Sequence, residues 1–223
     1  MQLLIGPFLG CLVGAGVWLV AGHFSARYQA GPGLTASGQG VSYLRSQGGL
    51  VSPWAVLGQA VFAVLGGYIW QKAPNPTQVV AALVVTGLLA SISLVDLRVH
   101  RIPNALCAAL VIWALVQMFW LGQPKPVSAM LGVLAAGGLF LAVALVGRGT
   151  MGAGDIKLAA ALGAILGFPL IFPALACGII AGGLAALVLI AARRLSRKGF
   201  MAYGPYLALG SWVIWMGAMG LWP

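Results

Sequence analysis

Residues 78–95 read QVVAALVVTGLLASISLV, a stretch without a charged side chain that ends immediately before Asp96. A helix of about 20 mainly apolar residues spans the hydrocarbon core of a bilayer. Seven further runs of this kind occupy approximately residues 3–23, 54–71, 104–121, 127–147, 156–172, 174–192 and 203–222. We therefore predict an all-α fold: a polytopic membrane bundle of about eight transmembrane helices, each run being long enough to span.

The composition excludes a soluble globular protein. Of the 223 residues, 61% are hydrophobic and 6% are charged, whereas an ordinary soluble domain has about 25% charged residues. The runs leave room only for short connections, so residues 1–223 are predicted to form one membrane-embedded domain. Residues 24–53 are rich in Gly, Ser and Gln and show no periodicity, which predicts a loosely ordered cytoplasmic loop.

The basic residues predict the orientation in the membrane. The chain has twelve Lys and Arg residues against two acidic residues, and the basic side chains lie mainly between the apolar runs. Lys and Arg are retained on the cytoplasmic side of membrane proteins, so this excess does not indicate a nucleic-acid partner. Lys72 and Lys125 would face outward, as would both termini. The basic residues on the cytoplasmic side would be Arg27, Arg45, Arg98, Arg101, Arg148, Lys157, Arg193, Arg194, Arg197 and Lys198.

The two acidic residues, Asp96 and Asp155, are the candidate catalytic groups. Asp96 follows the third run and Asp155 precedes the sixth, so two spans separate them and both return to the same side of the membrane. Two neighbouring carboxyls cannot both ionise easily, so one stays protonated as a general acid while the other acts as a base. An aspartic protease needs this asymmetry to activate water and to protonate the leaving amine.

Other interpretations of the two carboxyls remain open at this stage. Asp155 could complement a helix dipole, and Asp96 could pair with Arg98 or Arg101 in a solvated loop. A proton-coupled transporter would also use membrane carboxyls, although such groups usually lie near the bilayer midplane. A scaffold subunit of a secretion machine would need neither aspartate.

No metal site is predicted. Cys11, Cys107 and Cys177 are far apart and form no CxxC pair, so we interpret them as small packing residues. His23 and His100 have no neighbouring cysteine or acidic cluster that would complete a ligand set.

Three ordered motifs between about residues 80 and 215 resemble the type IV prepilin peptidase family. Residues 151–158, MGAGDIKL, resemble its GxGD-x-K-L segment. Asp96 followed by Ile102-Pro103-Asn104 is similar to its first aspartate motif. Residues 203–208, YGPYLA, resemble its C-terminal FGPYLA segment, with Tyr203 in place of Phe.

The resemblance implies a GxGD-type membrane aspartic endopeptidase of the bacterial inner membrane, with the motifs in residues 78–215. Such enzymes remove a short basic leader that precedes an apolar helix in prepilins and pseudopilins, which would be the partners together with the lipid bilayer. It implies that Asp96 and Asp155 are catalytic. The supporting motif residues would be Gly152, Gly154, Lys157, Pro103 and Asn104, and a cation such as Lys157 could keep one aspartate ionised.

The resemblance also leaves a bifunctional alternative, in which the enzyme methylates the new N-terminus with S-adenosylmethionine. Bifunctional members have a larger region after the first span, often with two CxxC pairs that bind zinc. The corresponding residues 24–53 of this chain contain no cysteine and no acidic residue. We therefore expect peptidase activity alone and no cofactor.

Overall fold

The computed structural model describes residues 2–29, 53–147, 152–192 and 202–221, and its regular elements in these ranges are all α-helices. The prediction of an all-α polytopic chain is therefore confirmed. In chain order, the described helices are α1 (Gln2–Gln29), α2 (Pro53–Lys72), α3 (Pro76–Val99), α4 (Asn104–Trp120), α5 (Pro126–Val146), α6 (Ala153–Leu166), α7 (Ile171–Ala191) and α8 (Gly204–Ala218).

Five of these helices are long and apolar enough to cross a membrane, namely α1, α2, α3, α5 and α7. The other three are shorter than the sequence runs suggested, with 17 residues in α4, 14 in α6 and 15 in α8. At 1.5 Å per residue, α6 is about 21 Å long, less than the roughly 30 Å of the hydrocarbon core. The expectation that every apolar run is long enough to span is therefore corrected for these three helices.

Two helix ends differ most from the predicted boundaries, at the carboxyl ends of α6 and α1. The helix α6 ends at Leu166 instead of continuing to residue 172, because Gly167 adopts a φ of +70° and the turn beyond it contains Pro169. There Ser128 Oγ donates to Phe168 O at 2.7 Å, which joins the end of α6 to the start of α5. The helix α1 continues to Gln29, so residues 24–29 of the predicted loop are helical. Residues 30–52 of that loop lie outside the described part of the chain.

The helix α3 forms the centre of the bundle. It packs against α1 and α8 and also contacts α2 and α4. About 56% of its apolar span is buried, against 17–28% for the other four long helices. The short helix α6 packs against α5 and α4 and contacts α7 and α8 more lightly. Contacts with several neighbouring helices therefore fix the positions of α3 and α6.

Glycines allow close approach at three helix pairs. Gly10 of α1 lies against the backbone of Phe62 in α2, Gly132 of α5 lies against Gly163 of α6, and Gly210 of α8 lies against the backbone of α7. Small residues of this kind let membrane helices approach until their backbones touch. The Gly10–Gly14 segment is therefore a packing surface of α1, since both glycines face Phe62.

We predict that Gly132→Ala lowers the free energy of unfolding by about 1–3 kcal/mol, the usual cost of overpacking. The added methyl group would collide with the carbonyl of Gly163, which is backbone and cannot rotate away. Unfolding in mixed micelles would measure the change.

The matched control is Gly138→Ala on the same helix, where a Cβ atom meets nothing within 4 Å. This variant should be neutral or slightly stabilised, because alanine favours a helix over glycine by up to about 1 kcal/mol. Equal stability of the two variants would contradict the packing described for α5 and α6.

Candidate active site

The last turn of α3 carries Asp96, which is only 4% exposed. The helix ends three residues later because His100 adopts the left-handed conformation, with φ of 52°, and its N–H donates to Asp96 O at 2.8 Å. The chain then passes through Arg101 and Ile102 to Pro103, which is buried and precedes the first turn of α4. Asp96 therefore belongs to a buried helix end, and the interpretation of a solvated loop aspartate is wrong.

The carboxylate of Asp96 binds the start of α8. Its Oδ2 accepts a hydrogen bond of 3.0 Å from the backbone N–H of Gly204, the first residue of that helix. The amino end of a helix carries unpaired N–H groups and partial positive charge, which favour a carboxylate there. A Cβ atom at position 204 would lie 2.8 Å from Asp96 Oδ2, so a larger residue there would push the carboxylate away from this N–H.

Asp155 lies in the first turn of α6, and its backbone N–H donates to Gly152 O at 3.0 Å. Ile102 joins this turn to the Asp96 site. A Cβ atom added at Gly154 would lie 3.2 Å from Ile102 Cβ. A Cβ atom added at Gly204 would lie 3.4 Å from Ile102 Cδ1. The starts of α6 and α8 therefore pack against the same side chain, which draws Asp155 toward Asp96.

The charges of the site act on one another. Burial raises the pKa of Asp155 to about 6, and the negative charge of Asp96 contributes in the same direction, while the N–H of Gly152 opposes both. Burial also raises the pKa of the Tyr203 phenol, with a further contribution from the charge of Asp155. Asp96, Asp155 and Tyr203 thus form one electrostatic cluster in which a proton is held more firmly than on an isolated aspartate.

Lys157 and Asn104, both predicted as supporting residues, bind each other. Lys157 Nζ donates to Asn104 Oδ1 at 3.0 Å, and both side chains are exposed. Lys157 is not among the groups that shift the pKa of Asp155. Its contact therefore connects the start of α6 to the start of α4, and the suggestion that it keeps an aspartate ionised gains no support.

Arg98, also considered as a partner of Asp96, lies on α3 with its guanidinium carbon 4.5 Å from the centre of the Trp18 ring. This cation–π contact directs Arg98 toward α1, whereas Asp96 faces α8. The dipole interpretation of Asp155 remains compatible with its position in the first turn of α6.

The described residues contain no group of three His, Cys, Asp or Glu side chains placed to hold a metal ion. The cluster can instead perform proton transfer, since it places two carboxyls together in a poorly solvated site. One singly protonated carboxyl pair can accept a proton at one oxygen and donate a proton from another.

Three residues that contact or surround the two aspartates were not among the predicted site residues: Ile102, Tyr203 and Gly204. All three occur in the quoted motifs, but the motifs alone did not assign them roles. A signal was present in Gly204-Pro205, because proline is favoured in the first turn of a helix and glycine permits close approach to its amino end.

Comparison with known proteins finds a family model that matches the part of the chain carrying both aspartates. Residues 83–187 match the model of the type IV leader peptidase family. Asp96, Asp155 and the residues between them fall inside the match, whereas Gly204 and the rest of α8 follow it.

Curated relatives match a larger part of the chain. A prepilin leader peptidase/N-methyltransferase of Aeromonas salmonicida (strain A449) is 32% identical over 150 residues, which cover 64% of this chain and 51% of the relative. A protein of the same name from Dickeya chrysanthemi is 30% identical over 182 residues, covering 78% and 61%. The corresponding protein of Neisseria gonorrhoeae is 32% identical over 145 residues, covering 63% and 49%.

The chain spans about half the length of the curated relatives that it matches most strongly. No solved structure matches it.

We predict that Gly204→Ala lowers the free energy of unfolding by about 1–3 kcal/mol. This is the usual cost of losing a hydrogen bond to a charged or buried group. The methyl group would press on Asp96 Oδ2 at 2.8 Å and on Ile102 Cδ1 at 3.4 Å. Denaturant titration in micelles would measure this effect.

Gly217→Ala is the matched control on α8, because a Cβ atom there meets nothing within 4 Å. It should leave stability unchanged or raise it slightly. A Gly204→Ala variant as stable as Gly217→Ala would show that the contact between Asp96 and the start of α8 is not tight.

Proposed function

We propose that this chain is a membrane aspartic endopeptidase, because residues 83–187 match the model of the type IV leader peptidase family. It removes the short leader of prepilins or pseudopilins at the cytoplasmic face of the bacterial inner membrane. Asp96 and Asp155 are its catalytic pair. Gly152, Gly154, Pro103, Asn104 and Lys157 support the loops and helix starts that position this pair.

One observation carries the proposal. The chain has only two acidic residues, Asp96 at the end of α3 and Asp155 at the start of α6. Both belong to one cluster, in which the charge of Asp96 helps to raise the pKa of Asp155. They are 59 residues apart in sequence, so this meeting depends on the tertiary fold. A structural role for either acid alone would not require the other beside it.

The chemistry follows from a pair that shares one proton. The ionised carboxylate takes a proton from water as the water oxygen attacks the scissile carbonyl carbon. The protonated carboxyl then gives its proton to the amide nitrogen, and the carbon–nitrogen bond breaks to leave a carboxylic acid and an amine. The pair ends the cycle with one proton, so no other acid or base is needed.

The position of the pair also supports a peptidase over the transporter alternative. Asp96 lies in the last turn of α3 and Asp155 in the first turn of α6. Carboxyls of carriers are expected near the bilayer midplane, whereas these lie at helix ends, where a substrate backbone can enter from the aqueous side.

N-methyltransferase activity is a second candidate, because the names of the curated relatives include it. We propose the peptidase activity alone for this chain, without S-adenosylmethionine. Residues 24–53 lack the cysteines and acidic residues of the larger region described for bifunctional members. A methyl-transfer assay with the cleaved pilin and S-adenosylmethionine would separate the two possibilities.

We predict that Asp96→Asn and Asp155→Asn each lower the rate of prepilin cleavage by at least about 100-fold, since general acid–base groups contribute roughly 10²–10⁴-fold. Asparagine keeps the size of the side chain but cannot exchange the proton, and the chain has no other acidic side chain to replace it. Cleavage by the purified protein in detergent, followed by mass spectrometry of the pilin, would measure this loss.

Lys125→Gln is a suitable control, because Lys125 is exposed in the connection between α4 and α5, away from both aspartates. This variant should cleave at the wild-type rate. If either asparagine variant retained full activity, the aspartic mechanism would be refuted.

We also predict that kcat/KM falls as the pH rises above about 6. Burial and the charge of Asp96 raise the pKa of Asp155 to about 6, so the pair keeps its proton below that pH and loses it above. Activity also falls at low pH, where both carboxyls become protonated and the base is lost. A pH profile in which kcat/KM stayed constant from about pH 5 to pH 8 would contradict a proton-sharing pair.

A further inference from the structure

Tyr203 is a residue at which this chain departs from the family motif that it resembles. Residues 203–208 read YGPYLA, whereas the motif has Phe in the first position. The two side chains share a ring and differ by one hydroxyl group. In the cluster that Tyr203 forms with Asp96 and Asp155, this hydroxyl is the polar group that the proposed mechanism does not use.

The backbone holds Tyr203 beside the first aspartate. Tyr203 immediately precedes α8, and its carbonyl accepts hydrogen bonds from the N–H groups of Tyr206 and Leu207 at 3.2 and 3.3 Å. The N–H of the following residue, Gly204, donates to Asp96 Oδ2 at 3.0 Å. The peptide unit that joins Tyr203 to Gly204 is therefore fixed at both its carbonyl and its N–H.

The ring of Tyr203 packs against α7. A Cβ atom added at Gly182 of that helix would lie 2.7 Å from Tyr203 Cε2 and 3.3 Å from Tyr203 Cζ. The carbon that bears the hydroxyl group is thus positioned by the backbone of α7. Tyr203 is only half-buried, so the side chain is held in place and still leaves room for contact with a substrate.

The hydroxyl end of this side chain lies in the field of the second aspartate. Burial raises the pKa of the Tyr203 phenol, and the negative charge of Asp155 contributes in the same direction. The phenol therefore keeps its proton over the pH range in which the aspartate pair works. No other described residue forms a hydrogen bond with this hydroxyl, so the cluster contains one neutral O–H donor that the fold does not use.

We propose that Tyr203 is a catalytic residue whose hydroxyl group donates a hydrogen bond to the scissile carbonyl oxygen as that oxygen becomes negatively charged. The inference rests on the proposed function, in which the aspartate pair directs water to the carbonyl carbon. When the water oxygen bonds to this carbon, the π electrons of the carbonyl move to its oxygen. A preorganised donor stabilises that charge. The phenol keeps its proton when the electrons return and the carbon–nitrogen bond breaks.

The two aspartates are poorly placed to bind that oxygen themselves. The carboxylate that acts as the base is negatively charged and would repel an oxyanion. The protonated carboxyl has one proton, which it must deliver to the leaving nitrogen. Lys157 is directed toward α4, where its Nζ donates to Asn104 Oδ1 at 3.0 Å. Within the cluster, the phenol is the donor that remains for the carbonyl oxygen.

Tyr203→Phe tests the assignment, because it removes the hydroxyl and keeps the ring that packs on Gly182. We expect kcat for prepilin cleavage to fall about tenfold with KM unchanged, since a hydrogen bond that forms only in the transition state is lost. The loss is partial because the family motif itself has Phe at this position. Both limbs of the pH profile should stay where they are, because neither aspartate loses a hydrogen bond.

The matched control is Tyr206→Phe. Tyr206 lies in the first turn of α8, is half-buried like Tyr203, and has its ring centre 6.5 Å from that of Tyr203. It is not among the groups that act on either aspartate. This variant loses the same hydroxyl group from a neighbouring ring and should cleave prepilin at the wild-type rate.

A prepilin peptide with a difluoroketone in place of the scissile amide provides a readout that does not depend on cleavage. Its hydrate is tetrahedral at the reacting carbon and resembles the intermediate. The Kd of this peptide should rise about tenfold in Tyr203→Phe, by loss of the same hydrogen bond. With Asp155→Asn present to prevent turnover, Tyr203→Phe should leave the Kd of prepilin itself unchanged.

Three results would overturn the assignment. The first is an unchanged kcat in Tyr203→Phe. The second is a pH profile whose upper limb moves while the maximal kcat is retained, because the hydroxyl would then act on Asp155. The third is an equal rise in both Kd values, which would indicate a structural role. Absence of cleavage by the wild-type protein would instead refute the proposed function, so the two failures are distinguishable.

Discussion

The hydrogen bond between Asp96 and Gly204 is the contact on which the site depends. A carboxylate that is 4% exposed at the end of an apolar helix is stable only if a donor replaces the water that it has lost. The donor is the backbone N–H of Gly204, 108 residues away. This requirement fixes the start of α8 against the end of α3, and α8 in turn carries Tyr203 into the cluster.

Close packing of glycines gives the second aspartate its position. Contact between Gly132 and Gly163 holds α6 against α5, and the hydrogen bond of 2.7 Å from Gln117 Nε2 to Ile165 O holds the far end of α6 against α4. At the near end, Gly154 packs on Ile102. The short helix α6 is therefore fixed at both ends, which places the Asp155 carboxyl where the charge of Asp96 acts on it. A longer or more loosely packed helix would not hold the Asp155 carboxyl in this position.

The sequence predicted the helical segments well because hydrophobicity is a local property. Each apolar run corresponds to one helix. The sequence did not predict the contacts that join distant elements. Nothing local indicates that the N–H of Gly204 meets Asp96, or that Lys157 binds Asn104.

The ends of the helices were harder to predict than their presence. Hydrophobicity marks a helical segment, whereas its end depends on the backbone conformation of single residues. Residues 167–172 are apolar enough to prolong α6, yet the positive φ of Gly167 ends the helix. His100 ends α3 in a conformation that non-glycine residues seldom adopt. The motifs marked both aspartates, but the roles of Ile102 and Gly204 emerged only from three-dimensional packing.

The central claim is that the two carboxyls hold one proton between them, and infrared spectroscopy of protein labelled with ¹³C at the aspartate side-chain carboxyl tests it most directly. The chain contains only these two acidic side chains, so every labelled signal belongs to the pair. We predict that one protonated carboxyl band persists well above pH 4 and disappears near pH 6, as the raised pKa of Asp155 requires. If both aspartates instead ionised together near pH 4, the ordinary value for isolated aspartates, the account of a proton-sharing pair would be contradicted.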